Sequence, residues 1–298
     1  MNRRAYWITE LAKISDSFID DTARMIEELQ GEIHREGESS LLDHLRTCGA
    51  IPEEYAHDSS AEKLYSKYTD AVVSECLKAI GLESVVLNER ADTADVQARA
   101  DKFSLVADAK AFRLSRTAKN QKDFKIQAMD GWRNSLDFAV VVCPIYQLPT
   151  RTSQIYQQAI ARNVCILSYS HLGALVGLSI RRGSSRAIQG FHEILKTVSL
   201  MNPSKNAVDY WTGINRTLVA SLATDSELWK IEKMKSVESL KSAKKEAIHY
   251  LVLERNRLLG LSHDQALAEL IRLAGVDSRI EKVRKIEHGT LLGVEDCE

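Results

Sequence analysis

LVADAKAFRLSRTAKNQKDFK, residues Leu105 to Lys125, changes character after its first six residues. The start is apolar enough that Ser104 to Ala109 reads as a strand, interrupted by one acid, Asp108. The remainder is polar and carries a base at every third position: Lys110, Arg113, Arg116, Lys119, Lys122 and Lys125. Asp123 is the only acid among Ala111 to Lys125, and Ser115, Thr117, Asn120 and Gln121 are interleaved. A buried strand thus leads directly into a strongly basic segment.

Just upstream, Val96 to Ala100 has the same strand character, with Asp101 and Lys102 between the two runs. If those two residues form a two-residue hairpin turn, Ala100 pairs with Phe103, and counting back sets Asp95 opposite Asp108. Directly opposed residues share a face of the sheet, and so does Lys110, two positions on. A one-residue slip would send Asp95 to the other face. In this register two carboxylates and an ammonium converge.

Such a patch suits a hard cation such as Mg²⁺, which takes oxygen ligands and keeps several waters. A bound Mg²⁺ polarises a phosphate and activates water, and a lysine offsets charge in the transition state. The chemistry is hydrolysis of a phosphodiester. An Asp-x-Lys alone is a weak signal, since Asp123-Phe124-Lys125 is a second example. A solvated ion pair at a strand end explains a lone one equally. The basic segment likewise reads either as a solvated lysine-rich face or as a phosphate-contacting surface whose Arg, Lys and Asn reach base edges. Its position directly after the acidic patch favours DNA.

Working outward, Val85 to Leu87, Phe138 to Cys143 and Val164 to Ser168 complete a set of about five strands, the last two being continuous apolar runs suited to burial on both faces. Helices are expected near Phe124 to Arg133 and Thr152 to Arg162. The middle of the chain is therefore α/β, with a central mixed sheet flanked by helices. Before it, residues 8 to 36 read as one amphipathic helix and Leu41 to Arg46 as a short one. Ser59 and Glu62 have capping-box spacing ahead of a helix ending at Gly81. After Gly183 no strand is predicted. Thr224 to Leu259 reads as a long helix, and Ser262 and Gln265 cap another that ends before Gly275. The divisions are 1–58, helical; 59–182, the α/β core; and 183–298, helical.

The 298 residues include only 14 glycines and 4 prolines, which fits a helix-rich chain. A net charge of -1 excludes DNA binding by general basicity, so any positive surface must be local. The five cysteines form no Cys-x-x-Cys and are expected to be reduced thiols of a cytoplasmic protein. The first twenty residues lack the apolar core of a signal peptide, and no apolar run reaches membrane-spanning length. No zinc-protease, dinucleotide or P-loop motif occurs, and the four tryptophans are expected to pack in the core.

The run Leu105 to Lys125 closely resembles the HindIII family of type II restriction endonucleases. DSSAEKLYSKYTDAVV (58–73), WRNSLDFAVVVCPIYQLPT (132–150) and SQIYQQAI (153–160) are similar to it as well. The resemblance is close over 57–178 and weak at both ends. It implies a PD-(D/E)xK nuclease fold and a homodimer that cuts palindromic double-stranded DNA with Mg²⁺, at AAGCTT between the two adenines. It also implies a cognate DNA methyltransferase. By match, Asp108 and Lys110 are the Asp-x-Lys pair, Asp95 takes the place of the upstream acid, and the Ala109 carbonyl faces the metal. Arg116, Ala118, Asn120 and Lys122 fall in the base-reading segment, with Arg113, Lys119 and Lys125 beside them. Asp123 matches a further acid important to activity. Glu62 reads as a capping residue or as an outer metal carboxylate. The alternatives are a related nuclease with another target and a DNA-binding protein without catalysis. Ala94 departs from the family pattern, and the stretch from Asp95 to Asp108 is about two residues shorter.

Overall fold

Two hairpin-linked antiparallel strands, β3 (Val96–Ala100) and β4 (Phe103–Ala109), stand at the middle of the sheet and decide its arrangement. In the computed structural model, residues 3–87, 93–116 and 121–285 are described. The chain divides at Ala247/Ile248 into a large unit and a smaller one.

The large unit begins with α1 (Arg3–Leu11), α2 (Phe18–Glu36), α3 (Glu38–Cys48), β1 (Ala50–Ile51) and α4 (Ser60–Ala79). β2 (Glu83–Val86) follows, then β3, β4 and β5 (Phe112–Arg113). Next come α5 (Gln121–Phe124), α6 (Ile126–Arg133), β6 (Phe138–Cys143), α7 (Gln154–Ala161) and β7 (Val164–Ser168). α8 (Tyr169–Arg182), α9 (Ser184–Ser199), α10 (Ala207–Leu222) and α11 (Glu227–Leu259) complete it, α11 running on into the smaller unit.

The main sheet has the order β2-β3-β4-β6-β7. β2, β3 and β4 are antiparallel, and β4, β6 and β7 are parallel, so the sheet is mixed, as the sequence predicts. β6 and β7 are buried almost throughout, which is why they read as unbroken apolar runs. α4 packs against β2, β3 and β4 and against α2, α3 and α8. Tyr65, Tyr68, Val72, Val73 and Cys76 bury it on several sides, so α4 is a core element. At its end Gly81 has φ +101°, and a Cβ there would meet Ser184 Cβ at 2.7 Å. Both the turn and the approach of α9 require glycine.

Three helices depart from the sequence expectation. Residues 8–36 are not one helix: the chain breaks after Leu11 and restarts at Phe18, where the Ser17 side chain accepts from Asp20 N and Asp21 Oδ2 accepts from Ser15 N at 2.9 Å. Serine and aspartate side chains here take the amides that a continuous helix would have used. The helix expected over 124–133 is split by Lys125, whose φ of +46° is left-handed. The long C-terminal helix starts at Glu227, after a 3-10 turn over Ala223–Asp225.

In the smaller unit, α12 (His263–Ala274) has the capping box predicted from Ser262 and Gln265 and ends at left-handed Gly275, ahead of α13 (Val276–Arg284). No residue of α12 or α13 is buried. Among the described residues no helix is long and apolar enough to cross a membrane, and Cys48, Cys76, Cys143 and Cys165 are free and buried.

His171 is a titratable group sealed in the core. Its Nδ1 lies 2.6 Å from Ser168 Oγ and its Nε2 lies 2.9 Å from Asn215 Oδ1. Trp211 stacks on its ring and Trp229 packs tilted against it. Burial opposes protonation and lowers its pKa to about 4. The unfolded chain binds this proton near pH 6.5 and the folded chain does not, so stability is lost as pH falls from about 6.5 toward 4. The loss from this group alone should reach about 3 kcal/mol. Denaturant midpoints at pH 7 and pH 5 should differ less in His171→Gln than in the parent; an unchanged difference would refute a neutral buried His171.

Candidate active site

The register of the β3–β4 hairpin is Ala100↔Phe103 through Val96↔Ala107. Continued by one residue, it opposes Asp95 to Asp108, the pairing that a two-residue turn at Asp101 and Lys102 predicts. The two carboxyl groups are within hydrogen-bonding range of each other. The Lys110 ammonium abuts Asp108 Oδ2 as an ion pair. Asp95, Asp108 and Lys110 therefore meet at one end of the sheet. Asp108 is 1% exposed and Lys110 8%.

Backbone contacts hold this end in place. Lys110 N donates to Val142 O at 2.8 Å, extending the β4–β6 ladder past Ala109, and the Tyr169 hydroxyl donates to Lys110 O at 2.9 Å. Tyr169 in turn lies against Gly49, where a Cβ would stand only 2.7 Å from Tyr169 Cε2. Gly49 O accepts from Phe112 N and from the Tyr146 hydroxyl, which ties β1 to β5 and orients the chain leaving β4.

α4 supplies two residues that the sequence reading did not single out. Lys67 Nζ lies 3.1 Å from Asp95 Oδ1 and 3.7 Å from Asp70 Oδ2. Asp70 is buried one helical turn along from Lys67. The signal was available only as their i, i+3 spacing inside the stretch 58–73, and nothing local says which sheet residue they meet.

The electrostatics follow from burial and crowding. Burial raises the pKa of Asp70 well above the usual carboxylate range; the charges of Asp95 and Asp108 push it further, while Lys67 and Lys110 oppose them. Asp108 is raised too, by burial first and by Asp95, against the pull of Lys110. Burial also works against the ionised form of Asp95, but Lys67, the hydrogen bond to Asp108 and Lys110 together outweigh it and lower its pKa.

These donors fit a hard divalent cation. Asp108 Oδ2 is buried without a well-aligned hydrogen bond despite the adjacent ammonium, and Asp95 supplies a second oxygen ligand beside it. Ala109, the last residue of β4, adjoins both as a candidate carbonyl ligand. A second group lies apart in the sequence: one ligand atom each from His57, Asp58 and Glu62, all within 4.8 Å of one another. Glu62 already accepts from Asp58 N at 2.6 Å and pairs with Arg113, so the Ser59 capping box is only half formed.

The basic segment is not a free stripe. Lys110 belongs to the acidic cluster. Arg113 is 3.0 Å from Glu62 Oε1. Arg116 pairs with Asp123 and lies over the Phe112 ring. The Lys125 ammonium is 5.2 Å from the centroid of the Trp132 ring. Ser115 is held by Glu53, and the Arg116 carbonyl accepts from Gln147 Nε2 at 2.6 Å. Ala118, Lys119 and Asn120 lie outside the described residues, as does the Lys122 side chain. Trp7, Trp211 and Trp229 pack in or against the hydrophobic core, and so does Trp132.

With this geometry in view, comparison with known proteins is specific. A model of the HindIII restriction endonuclease family matches residues 4–287, so the likeness extends well beyond the 57–178 stretch legible by eye. The type II restriction enzyme HindIII of Haemophilus influenzae is 30% identical over 254 residues, covering 84% of this chain and 85% of that protein.

A methyl group at Gly49 would push directly on the ring that anchors Lys110. Gly49→Ala should therefore destabilise by about 1–3 kcal/mol and displace Lys110. The measurements are the chemical-denaturation midpoint and the cleavage rate of the folded variant. Parent-like values for both would show that Tyr169 does not constrain this end of the sheet.

Proposed function

This chain belongs to the HindIII restriction endonuclease family and is a type II restriction endonuclease; from that premise we propose that it hydrolyses double-stranded DNA at AAGCTT, between the two adenines, in a Mg²⁺-dependent reaction. The observation that carries the reading is the convergence of Asp95, Asp108 and Lys110 at the end of β4. The target sequence rests on the similarity of Leu105 to Lys125 to the family.

Asp95 and Asp108, with the Ala109 carbonyl, are the residues that would hold the ion. When bound, Mg²⁺ supplies Lewis-acid polarisation of the scissile phosphate and offsets its charge. Lys110 donates to the attacking water and balances negative charge as it builds on the phosphoryl oxygens. The water oxygen bonds to phosphorus as the bond to the 3′ oxygen breaks, leaving a 5′-phosphate and a 3′-hydroxyl. The buried floor formed by β4 and β6 limits bulk water at the carboxylates.

Arg116, Ala118, Asn120 and Lys122 read base edges in the major groove, and Arg113, Lys119 and Lys125 contact phosphates. Asp123 acts through Arg116, which it holds before DNA arrives. The nuclease core is residues 59–182. The enzyme is a homodimer, because a twofold assembly presents the same surface to each half of a palindrome. The helical C-terminal region serves dimerisation or clamps DNA. The protein is cytoplasmic and works beside a methyltransferase that protects host DNA.

Mapped plasmid DNA incubated with the protein should give fragments ending at AAGCTT with Mg²⁺ and remain intact with chelator. Discrete fragments at another sequence would keep the nuclease and discard the target. Asp108→Ala should abolish cleavage and retain sequence-specific binding in a mobility-shift assay; a fully active variant would defeat the metal assignment, and parental protein that binds tightly but never cuts would favour a non-catalytic binder. Lys122→Ala should lose about 1–3 kcal/mol of discrimination between AAGCTT and single-base variants; unchanged fidelity would move the reading contacts elsewhere.

A further inference from the structure

Lys67 is the second ammonium of the cluster, and it comes from α4, not from the sheet. It spans two acids, 3.1 Å from Asp95 Oδ1 and 3.7 Å from Asp70 Oδ2. Three carboxylates, of Asp70, Asp95 and Asp108, thus face two ammonium groups, of Lys67 and Lys110. Each of the two carboxylates read as metal ligands already has an ammonium beside it, Lys67 for Asp95 and Lys110 for Asp108. In so buried a setting an uncompensated charge is costly. A divalent cation without DNA overcharges the site, and the negative charge of a phosphodiester reduces that excess.

We propose that Lys67 is a positioning residue that makes metal loading depend on DNA: its ammonium neutralises Asp95 in the free enzyme, so a divalent cation is held weakly until a scissile phosphate is present. The inference rests on the reading of Asp95 and Asp108 as the metal-holding pair. Lys67 suits this role better than Lys110. Its side chain is 25% exposed against 10% for Lys110, and it has a second acid within reach. It can release Asp95 and keep Asp70 within reach. α4 itself is fixed by its buried flanks, so only side-chain torsions need change. Lys110, sealed against Asp108, has no such alternative seat among the described contacts. By reciprocity, whatever DNA adds to metal affinity, metal adds to DNA affinity.

The test is calorimetric titration of Ca²⁺ into the full-length protein, alone and with a short AAGCTT duplex, under conditions where the duplex stays uncut. Lys67→Met keeps much of the length of the side chain and removes its charge, leaving Asp95 without the ammonium that neutralises it. Ca²⁺ should then bind the DNA-free variant about tenfold more tightly than the parent or better. The further gain on adding duplex should be smaller than in the parent, and Lys67→Arg should behave like the parent. If Lys67→Met does not fold, as judged by its thermal melt, Lys67→Gln makes the same comparison. Unchanged or weaker DNA-free binding in the charge-removing variant would overturn the inference. A parent whose Ca²⁺ binding survives Asp95→Asn combined with Asp108→Asn would overturn the metal-site reading itself. Binding lost in that double variant, with Lys67 indifferent, would overturn only the role of Lys67.

Discussion

Register in the β3–β4 hairpin is the constraint on which the site depends. Side chains alternate across a sheet, so Asp95 stands opposite Asp108 on one face only when Ala100 opposes Phe103, and a one-residue slip parts them. Three features pin that register. The turn has two residues; Val96 and Ala98 are buried where Gln97 and Arg99 are not; and β2 pairs along the other edge of β3, with Leu87 N donating to Asp95 O at 2.8 Å. A slip would bury Arg99 and expose Val96 as well as part the acids. Packing and chemistry thus select the same alignment, as expected when local choices agree with the fold.

That alignment concentrates charge where the surrounding structure is driest. Asp70 and Asp108 are almost wholly inaccessible, and Lys110 nearly so. Such a cluster is weak evidence of stabilisation, because desolvation offsets most of the attraction between the partners. The stability has to come from the apolar frame: the buried runs of β6 and β7, α4 packed between sheet and helices, and the contact between Tyr169 and Gly49. The frame keeps a carboxylate pair and two ammonium groups closer than they would remain in water. Preorganisation of this kind, held by packing, is what the proposed phosphate-hydrolysing site requires.

The basic segment is organised on a different principle. Beyond buried Lys110, its described cations Arg113, Arg116 and Lys125 are half-buried or exposed, and the free protein already gives them partners: Glu62 for Arg113, Asp123 for Arg116, and the Trp132 ring for Lys125. This reconciles a net charge of -1 with the DNA-contacting role proposed for the segment. Acids close the positive surface locally, and in that proposal a phosphate or base edge replaces them. Pairs at exposed positions are individually weak, so the exchange is within reach of ordinary DNA contacts.

The sequence by itself determined the fold class, the main strands and the register that sets Asp95 against Asp108. These depend on periodicity, turn chemistry and burial pattern, which are local and repeat along the chain. The resemblance of Leu105 to Lys125 then pointed to the family, which the whole-chain comparison established. Helix breaks were less legible: those at Ser17 and Lys125 arise from side-chain capping and a left-handed residue, which a hydrophobic pattern does not register. Only the tertiary structure decided what stands opposite the acidic pair. Lys67 and Asp70 lie more than twenty residues before Asp95 on a helix, and no spacing rule relates a helix face to a strand end. Packing of α4 against β3 and β4 makes that connection, and with it turns an Asp-x-Lys pair into a cluster of three acids and two bases.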